Sequence, residues 1–293
     1  MSASKRENII QSIADSYIER ELFSGIEWIA EKSGKVVLSG KSGYQNFEKK
    51  TPIPTSAIYR IYSMTKPITS VMALKLIEEG KLRLYDLVSS FIPSFENLKV
   101  MNPDGSTEDL ERPMIIEDLL THRSGLTYDF LPGCHVAPLY SEKDISDDGS
   151  VNLEEKCESL SRLPLAYQPG SRFNYSVSID VLARIIEVIS EKDFEEILKE
   201  EIFEPLDMKD TGFSVKEKNL PRLMSTYGAS NFKEIMNIGP HNLKETDVNQ
   251  HNPYLKGDHF RRGGTGLFST ISDYLSFGRM LLTGKSKSGK IIL

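Results

Sequence analysis

The sequence has few of the residues that mark several classes of protein. Its 293 residues include two cysteines, Cys134 and Cys157, and a single tryptophan, Trp28. Two cysteines form neither a disulfide framework nor a metal-ligand spacing, so each is interpreted as a buried or idle thiol. The histidines show no metal-ligand spacing either. The sequence therefore predicts no metal and no cofactor.

Long apolar runs and an excess of positive charge are also missing. The N-terminal stretch MSASKRENIIQSIADSYIEREL is charged and interrupted. It has neither the apolar centre of a signal peptide nor the roughly 20 apolar residues that a membrane helix needs. This predicts a cytoplasmic protein with no membrane partner. A formal charge of -6 gives no electrostatic reason to bind nucleic acid, and the oligomeric state is left open.

What is present is typical of a soluble globular protein, with 39% hydrophobic and 27% charged residues. Helical spacing of apolar residues predicts an amphipathic helix within residues 8–22. Two short apolar runs, residues 25–30 and 36–39, predict a β-hairpin with Trp28 in the core. A buried helix is predicted from Ile68 to Glu79, ended by Gly80 in the left-handed conformation.

Three regions follow from this pattern. Residues 1–80 form an α/β part, residues 81–256 a mostly helical insertion with long loops, and residues 257–293 a return to the α/β part. Helical stretches are predicted at 115–120, 179–189 and 274–282. The glycines at 263, 264 and 266 lack the pattern of a dinucleotide-binding loop and are interpreted as a tight turn. The apolar end of the sequence suggests that a C-terminal segment is lacking.

One motif carries chemistry. Ser63-Met64-Thr65-Lys66 is a Ser-x-x-Lys sequence, in which a lysine one helical turn away can take the proton of a serine nucleophile. Pro67 is tolerated only in the first turn of a helix, which puts Ser63 and Lys66 at the start of the 68–79 helix. Position and spacing alone leave open a capping serine beside a solvated lysine. The same spacing recurs at two other places, Ser2/Lys5 and Ser230/Lys233.

The surrounding sequence favours the catalytic interpretation. Six stretches, in order along the chain, resemble the serine β-lactamase and D-alanyl-D-alanine peptidase superfamily, and within it the family VIII carboxylesterases and other class C β-lactamase-like proteins. Collinear agreement over most of the chain is far more specific than one tetrapeptide. The stretches are residues 59–67, 76–82, 116–126, 168–176, 204–211 and 263–282.

The resemblance implies a β-lactamase/transpeptidase-like α/β fold, an antiparallel sheet flanked by helices with a mostly helical insertion and the site at their junction. It implies that Ser63 is the catalytic nucleophile and that Tyr175 is the third catalytic residue. A free phenol is too weak an acid to ionise at neutral pH, so Tyr175 would need Lys66 beside it. The two would accept the Ser63 proton, and water would later hydrolyse the acyl-enzyme. His122 and Arg123 resemble a structural turn of the family.

Two departures from the family pattern matter, one for the substrate and one for the rate. Class C β-lactamases carry Asn two places after the tyrosine, where this chain has Val177, and this favours an ester over a β-lactam. The later strand motif of the family, which supplies one of two oxyanion N–H groups, falls beyond Leu293; losing one such donor costs about 100- to 1000-fold in rate.

The expected function is a serine hydrolase that cleaves a small-molecule ester or amide. Two alternatives stay open: a β-lactamase or D-amino-acid peptidase, and a catalytically silent binding protein or fragment of the same fold.

Overall fold

A computed structural model of the chain describes residues 3–146, 150–228, 243–245 and 261–293, with side chains from residue 6 onward. Helices and short antiparallel strands alternate along it. The helices are α1 Ala3–Glu19, α2 Thr65–Glu78, α3 Ile116–Leu120, α4 Ala137–Glu142, α5 Leu153–Ser161, α6 Ser178–Ser190, α7 Phe194–Leu198 and α8 Ile271–Thr283. The strands are β1 Gly25–Lys32, β2 Lys35–Asn46, β3 Thr51–Pro52, β4 Ile58–Arg60, β5 Lys99–Met101, β6 Thr107–Asp109, β7 Tyr227–Gly228, β8 Lys244–Glu245 and β9 Phe268–Thr270.

Every pair of named strands in the described part of the chain is antiparallel, as the family resemblance implies. Strands β1, β2 and β3 form one sheet in that order, and β4 pairs with β9 across a large sequence separation. Helix α1 packs on β2, and α8 packs on β1. The sheet is therefore flanked by helices from both ends of the chain.

The core lies around α2 and α6, which contact each other. Helix α2 buries the face that the sequence predicts, made of Ile68, Val71, Met72 and Leu76. Each such side chain contributes about 1.5–3 kcal/mol when it is fully buried. Gly80 follows the end of α2 with φ +72°, the left-handed conformation expected of it. This core fixes the direction of α2 and so of the residues at its start.

Several boundaries differ from the sequence-based expectations. Helix α8 begins three residues before the predicted Tyr274, because the Thr270 hydroxyl caps it by accepting the Asp273 N–H at 3.2 Å. Strand β2 runs to Asn46, well past the predicted end at residue 39. Trp28 is half-buried and not in the core, with its ring against Gly40 on the neighbouring strand.

Other predictions are confirmed or remain predictions. Cys134 and Cys157 are buried free thiols, and burial raises the pKa of the Cys157 thiol. The division into three regions is untested, and its boundary at residues 256 and 257 lies outside the described residues. None of the described helices is long and apolar enough to cross a membrane. The cytoplasmic location and the absence of nucleic-acid partners remain predictions.

Candidate active site

The candidate nucleophile lies on a tight turn between a strand and a buried helix. Ile61 follows strand β4, and its N–H donates to the Leu267 carbonyl at 2.9 Å. A 3-10 turn, Tyr62–Met64, then leads into α2. Tyr62 has φ +42°, a left-handed conformation that is strained for a residue with a side chain. The exposed Ser63 side chain lies at the tip of this turn.

Lys66 lies in the first turn of α2, as the position of Pro67 predicts. Its side chain is buried, and its Nζ lies 3.2 Å from Ser63 Oγ. One helical turn therefore brings the two groups together, as residues three apart on a helix share a face. The two other Ser-x-x-Lys matches of the sequence lie outside the described side chains.

Tyr175 reaches the same place from a distant part of the chain. Its hydroxyl donates to Ser63 Oγ at 2.7 Å across 112 residues of sequence. Its ring centroid lies 4.7 Å from Lys66 Nζ, within the range of a cation–π contact. The structure thus brings together all three side chains that the sequence singles out.

An aromatic cluster holds the Tyr175 ring. The rings of His122 and Tyr128 lie 4.9 and 5.3 Å from it, centroid to centroid. His122 Nδ1 accepts the Ser176 N–H at 3.2 Å, which ties the residue after Tyr175 to this ring. Burial, followed by the nearby Lys66 charge, lowers the pKa of His122 to about 4. His122 is therefore neutral at pH 7. The family resemblance implies only a structural turn at this residue, and the structure adds a ring contact with Tyr175.

A glycine pair holds Lys66 from the other side. Lys66 Nζ donates to the Gly264 carbonyl at 2.7 Å, and the Thr69 hydroxyl donates to the Gly263 carbonyl at 2.7 Å. The Gly264 N–H in turn donates to Asp180 Oδ1 at 2.6 Å. The sequence predicts only a tight turn at these glycines and gives no role to Asp180. The available signal is a buried carboxylate in the first turn of α6, a helix that also carries Arg184 and Glu187.

This arrangement is suited to acyl transfer. An accessible hydroxyl has an amine and a phenol within hydrogen-bond reach, so either group can take or return its proton. The hydroxyl also stands at the start of α2, where the helix dipole favours developing negative charge. A buried helix and an aromatic cluster hold the amine and the phenol in place, so the three groups are preorganised.

The fold and site define a class in which a Ser-x-x-Lys pair opens a buried helix beside an antiparallel sheet. The sequence matches the profile of the beta-lactamase family over residues 10–292, and the chain belongs to that family. This confirms both the resemblance and the β-lactamase/transpeptidase-like α/β fold. Ser63, Lys66 and Tyr175 therefore meet within the fold that the resemblance implies.

Two curated relatives illustrate the range of the family. An uncharacterized protein of Mycobacterium tuberculosis is 32% identical over 280 residues, which cover 93% of this chain and 65% of that protein. Esterase EstB of Burkholderia gladioli is 29% identical over 207 residues, covering 70% of this chain and 50% of EstB. The chain thus spans between half and two thirds of the length of these relatives.

Solved structures agree with the fold. EstCE1, described as a hydrolase with promiscuous acyltransferase activity, superposes with a TM-score of 0.78 at 26% identity and covers 98% of this chain and 74% of its own. D-amino acid amidase of Ochrobactrum anthropi superposes with a TM-score of 0.69 at 22% identity, covering 96% of this chain and 72% of its own. The second likeness shows the fold alone.

Proposed function

We propose that this protein is a serine hydrolase that cleaves small carboxylic esters through an acyl-enzyme on Ser63. The observation that carries the proposal is the meeting of three groups. Lys66 Nζ lies 3.2 Å and the Tyr175 hydroxyl 2.7 Å from Ser63 Oγ. A nucleophile with its base and a second proton carrier in hydrogen-bond reach is the geometric requirement for covalent acyl transfer.

In the proposed mechanism, Lys66 and Tyr175 together accept the Ser63 proton as Oγ attacks the ester carbonyl carbon. The backbone N–H of Ser63, at the start of α2, donates to the carbonyl oxygen as it becomes negative. The C–O bond to the alcohol then breaks, and the same pair returns the proton to the departing oxygen. A water molecule, deprotonated by the pair, attacks the acyl carbon. The acyl C–O bond to Ser63 then breaks, the pair returns the proton to Ser63 Oγ, and the carboxylic acid is released.

An ester is favoured over a β-lactam by what surrounds Tyr175. Val177, two residues later, is fully buried and carries no amide to hold a substrate side chain. The Burkholderia relative is named an esterase, and EstCE1 is titled a hydrolase with acyltransferase activity. Both names agree with an ester substrate for this chain.

A labelling experiment tests the proposal. A fluorophosphonate probe is expected to label the wild type and not Ser63→Ala. The rate of p-nitrophenyl butyrate hydrolysis should be lower in Ser63→Ala than in the wild type by about 1000-fold or more. Ser171→Ala is the matched control, because its exposed hydroxyl donates to the nearby Gln168 carbonyl at 2.6 Å and, within the described part of the chain, to no group of the candidate site. Equal labelling of wild type and Ser63→Ala would refute the assignment. Faster turnover of a chromogenic cephalosporin than of the ester would favour the lactamase alternative.

A further inference from the structure

A buried ion pair lies behind the candidate site. Lys156 on α5 and Asp180 on α6 approach to 2.9 Å, between Nζ and Oδ2, and their side chains are only 3% and 2% exposed. Removing two charges from water is costly, and apolar replacement of such a pair is often neutral or stabilising. Joining α5 to α6 is therefore a weak reason for the pair, which suggests that it has another use.

The other carboxylate oxygen of Asp180 is linked to Lys66 by two hydrogen bonds, both made by the backbone of Gly264. Asp180 Oδ1 accepts the Gly264 N–H at 2.6 Å, and the Gly264 carbonyl accepts from Lys66 Nζ at 2.7 Å. Gly264 is thus held at its amide by an anion while its carbonyl orients the amine beside Ser63. All the groups in this relay are buried, where hydrogen bonds are strong and an unpaired donor is costly.

The space around Gly264 allows little other arrangement. A Cβ atom on Gly264 would lie 3.1 Å from Asp180 Oδ1 and 3.3 Å from Lys66 Nζ. These are tight contacts, so the backbone of Gly264 fills the gap between the carboxylate and the amine. The Gly264 carbonyl accepts from Lys66 Nζ at 2.7 Å within this confined space and so orients the amine.

The charge state of Asp180 suits this role. Burial alone would raise the pKa of its carboxyl group, but the Lys156 ammonium, the Arg262 guanidinium and the Gly264 N–H together hold that pKa below its usual value. Asp180 is thus an anion at neutral pH. A charged acceptor makes a stronger hydrogen bond to the Gly264 N–H than a neutral one would.

We propose that Asp180, with its charge balanced by Lys156, is a positioning residue for acylation of Ser63, and that it acts by holding the Gly264 peptide so that its carbonyl aims Lys66 Nζ at Ser63 Oγ. The inference rests on the proposed function, since it assigns these residues to the acylation step. Neither residue touches the substrate in this account. The rate of acylation should therefore depend on the hydrogen bond to Gly264 and not on the ion pair itself.

Two double variants separate these effects. Lys156→Met with Asp180→Asn removes both charges but keeps a side-chain oxygen for the Gly264 N–H. Lys156→Met with Asp180→Leu removes the same charges and fills a similar volume without an acceptor. The leucine variant is expected to react with the fluorophosphonate about 10- to 100-fold more slowly than the asparagine variant. Its kcat for p-nitrophenyl butyrate should fall by a similar factor, with KM changed less than about twofold.

The control is a second ion pair between the same two helices. Arg184 on α6 bonds Glu154 on α5 at 2.9 Å, and Arg184 is not bonded to Ser63, Lys66 or Gly264. Arg184→Met with Glu154→Gln tests whether any loosening of α5 from α6 slows acylation. It is expected to keep the wild-type rate. Thermal melts of every variant fix an assay temperature at which all of them are folded.

The outcomes are distinct. Equal rates in the leucine and asparagine variants would overturn the positioning role, as would equal slowing in the control. If the leucine variant does not fold, Lys156→Met with Asp180→Ala replaces it in the same comparison, and an equal rate there also overturns the inference. The proposed function fails separately, in the wild type, when labelling does not depend on Ser63.

Discussion

Gly263 is the point at which one added methyl group should disturb the candidate site most. A Cβ atom there would lie 2.2 Å from the Ile179 carbonyl oxygen and 2.6 Å from the Ala183 Cβ. Both neighbours belong to α6, and the first is backbone, so neither can rotate away. Gly263→Ala therefore forces the 263–264 segment and α6 apart.

The size of the effect follows from these distances. Reaching an ordinary contact with the Ile179 carbonyl needs a shift of roughly 1 Å. Such a shift would stretch the 2.7 Å hydrogen bond from Lys66 Nζ to the Gly264 carbonyl beyond its useful range. A misplacement of about 1 Å costs roughly 100-fold in rate, and overpacking of this kind costs about 1–3 kcal/mol in stability.

The assay compares kcat for p-nitrophenyl butyrate and urea unfolding in wild type, Gly263→Ala and Gly278→Ala. Gly278 lies within α8 and has no atom within 4 Å of an added Cβ, so it controls for the chemical change itself. Gly278→Ala should keep its activity and gain up to about 1 kcal/mol, because alanine is the better helix former. A Gly263→Ala protein with wild-type kcat and stability would refute the account of this contact.

Two further predictions concern the aromatic side of the site. Tyr175→Phe keeps the ring but removes the hydroxyl that donates to Ser63 Oγ at 2.7 Å, so kcat should fall by about 100-fold or more while thermal stability stays near wild type; an unchanged kcat in steady-state assays would contradict a role in proton transfer. His122→Asn suits the left-handed backbone at φ +53° and removes a group whose pKa is lowered from 6.5 to about 4, chiefly by burial. Because the unfolded chain binds this proton at higher pH than the folded one, His122 makes wild-type stability fall as pH drops from 6.5 toward 4. In urea unfolding, the advantage of wild type over His122→Asn should shrink by about 2 kcal/mol over that range, after allowance for partial exposure, and a constant difference would contradict it.

The strongly periodic segments were predictable because their signals are local. Helix α2 has the predicted buried face and stop, and α6 lies within one residue of its predicted 179–189 span. The end of β2 was not predictable in the same way, since its last residues pair with β3 and not with β1. The position of Trp28 also depends on which elements cover the sheet, and this is set by packing between distant parts of the chain.

The same distinction runs through the candidate site. The proximity of Ser63 and Lys66 needs only one turn of helix, and Pro67 locates that turn. Tyr175 was found through a family resemblance and not from spacing. The sequence shows Asp180 only as one of three charged residues in a mostly apolar helix, with no indication of what it would contact.

The sequence by itself determined where the main helices form, that Ser63 and Lys66 share a helix start, and which family the chain resembles. These follow from hydrogen bonds and apolar periodicity within a few residues, and from motifs read in order. Only the tertiary structure decided that Tyr175, Gly264 and Asp180 meet around that helix start. Tyr175 is 112 positions from Ser63, and Gly264 is 198 positions from Lys66 and 84 from Asp180. These contacts exist because α2, α6 and the 263–267 segment bury their surfaces against one another, which no local pattern specifies.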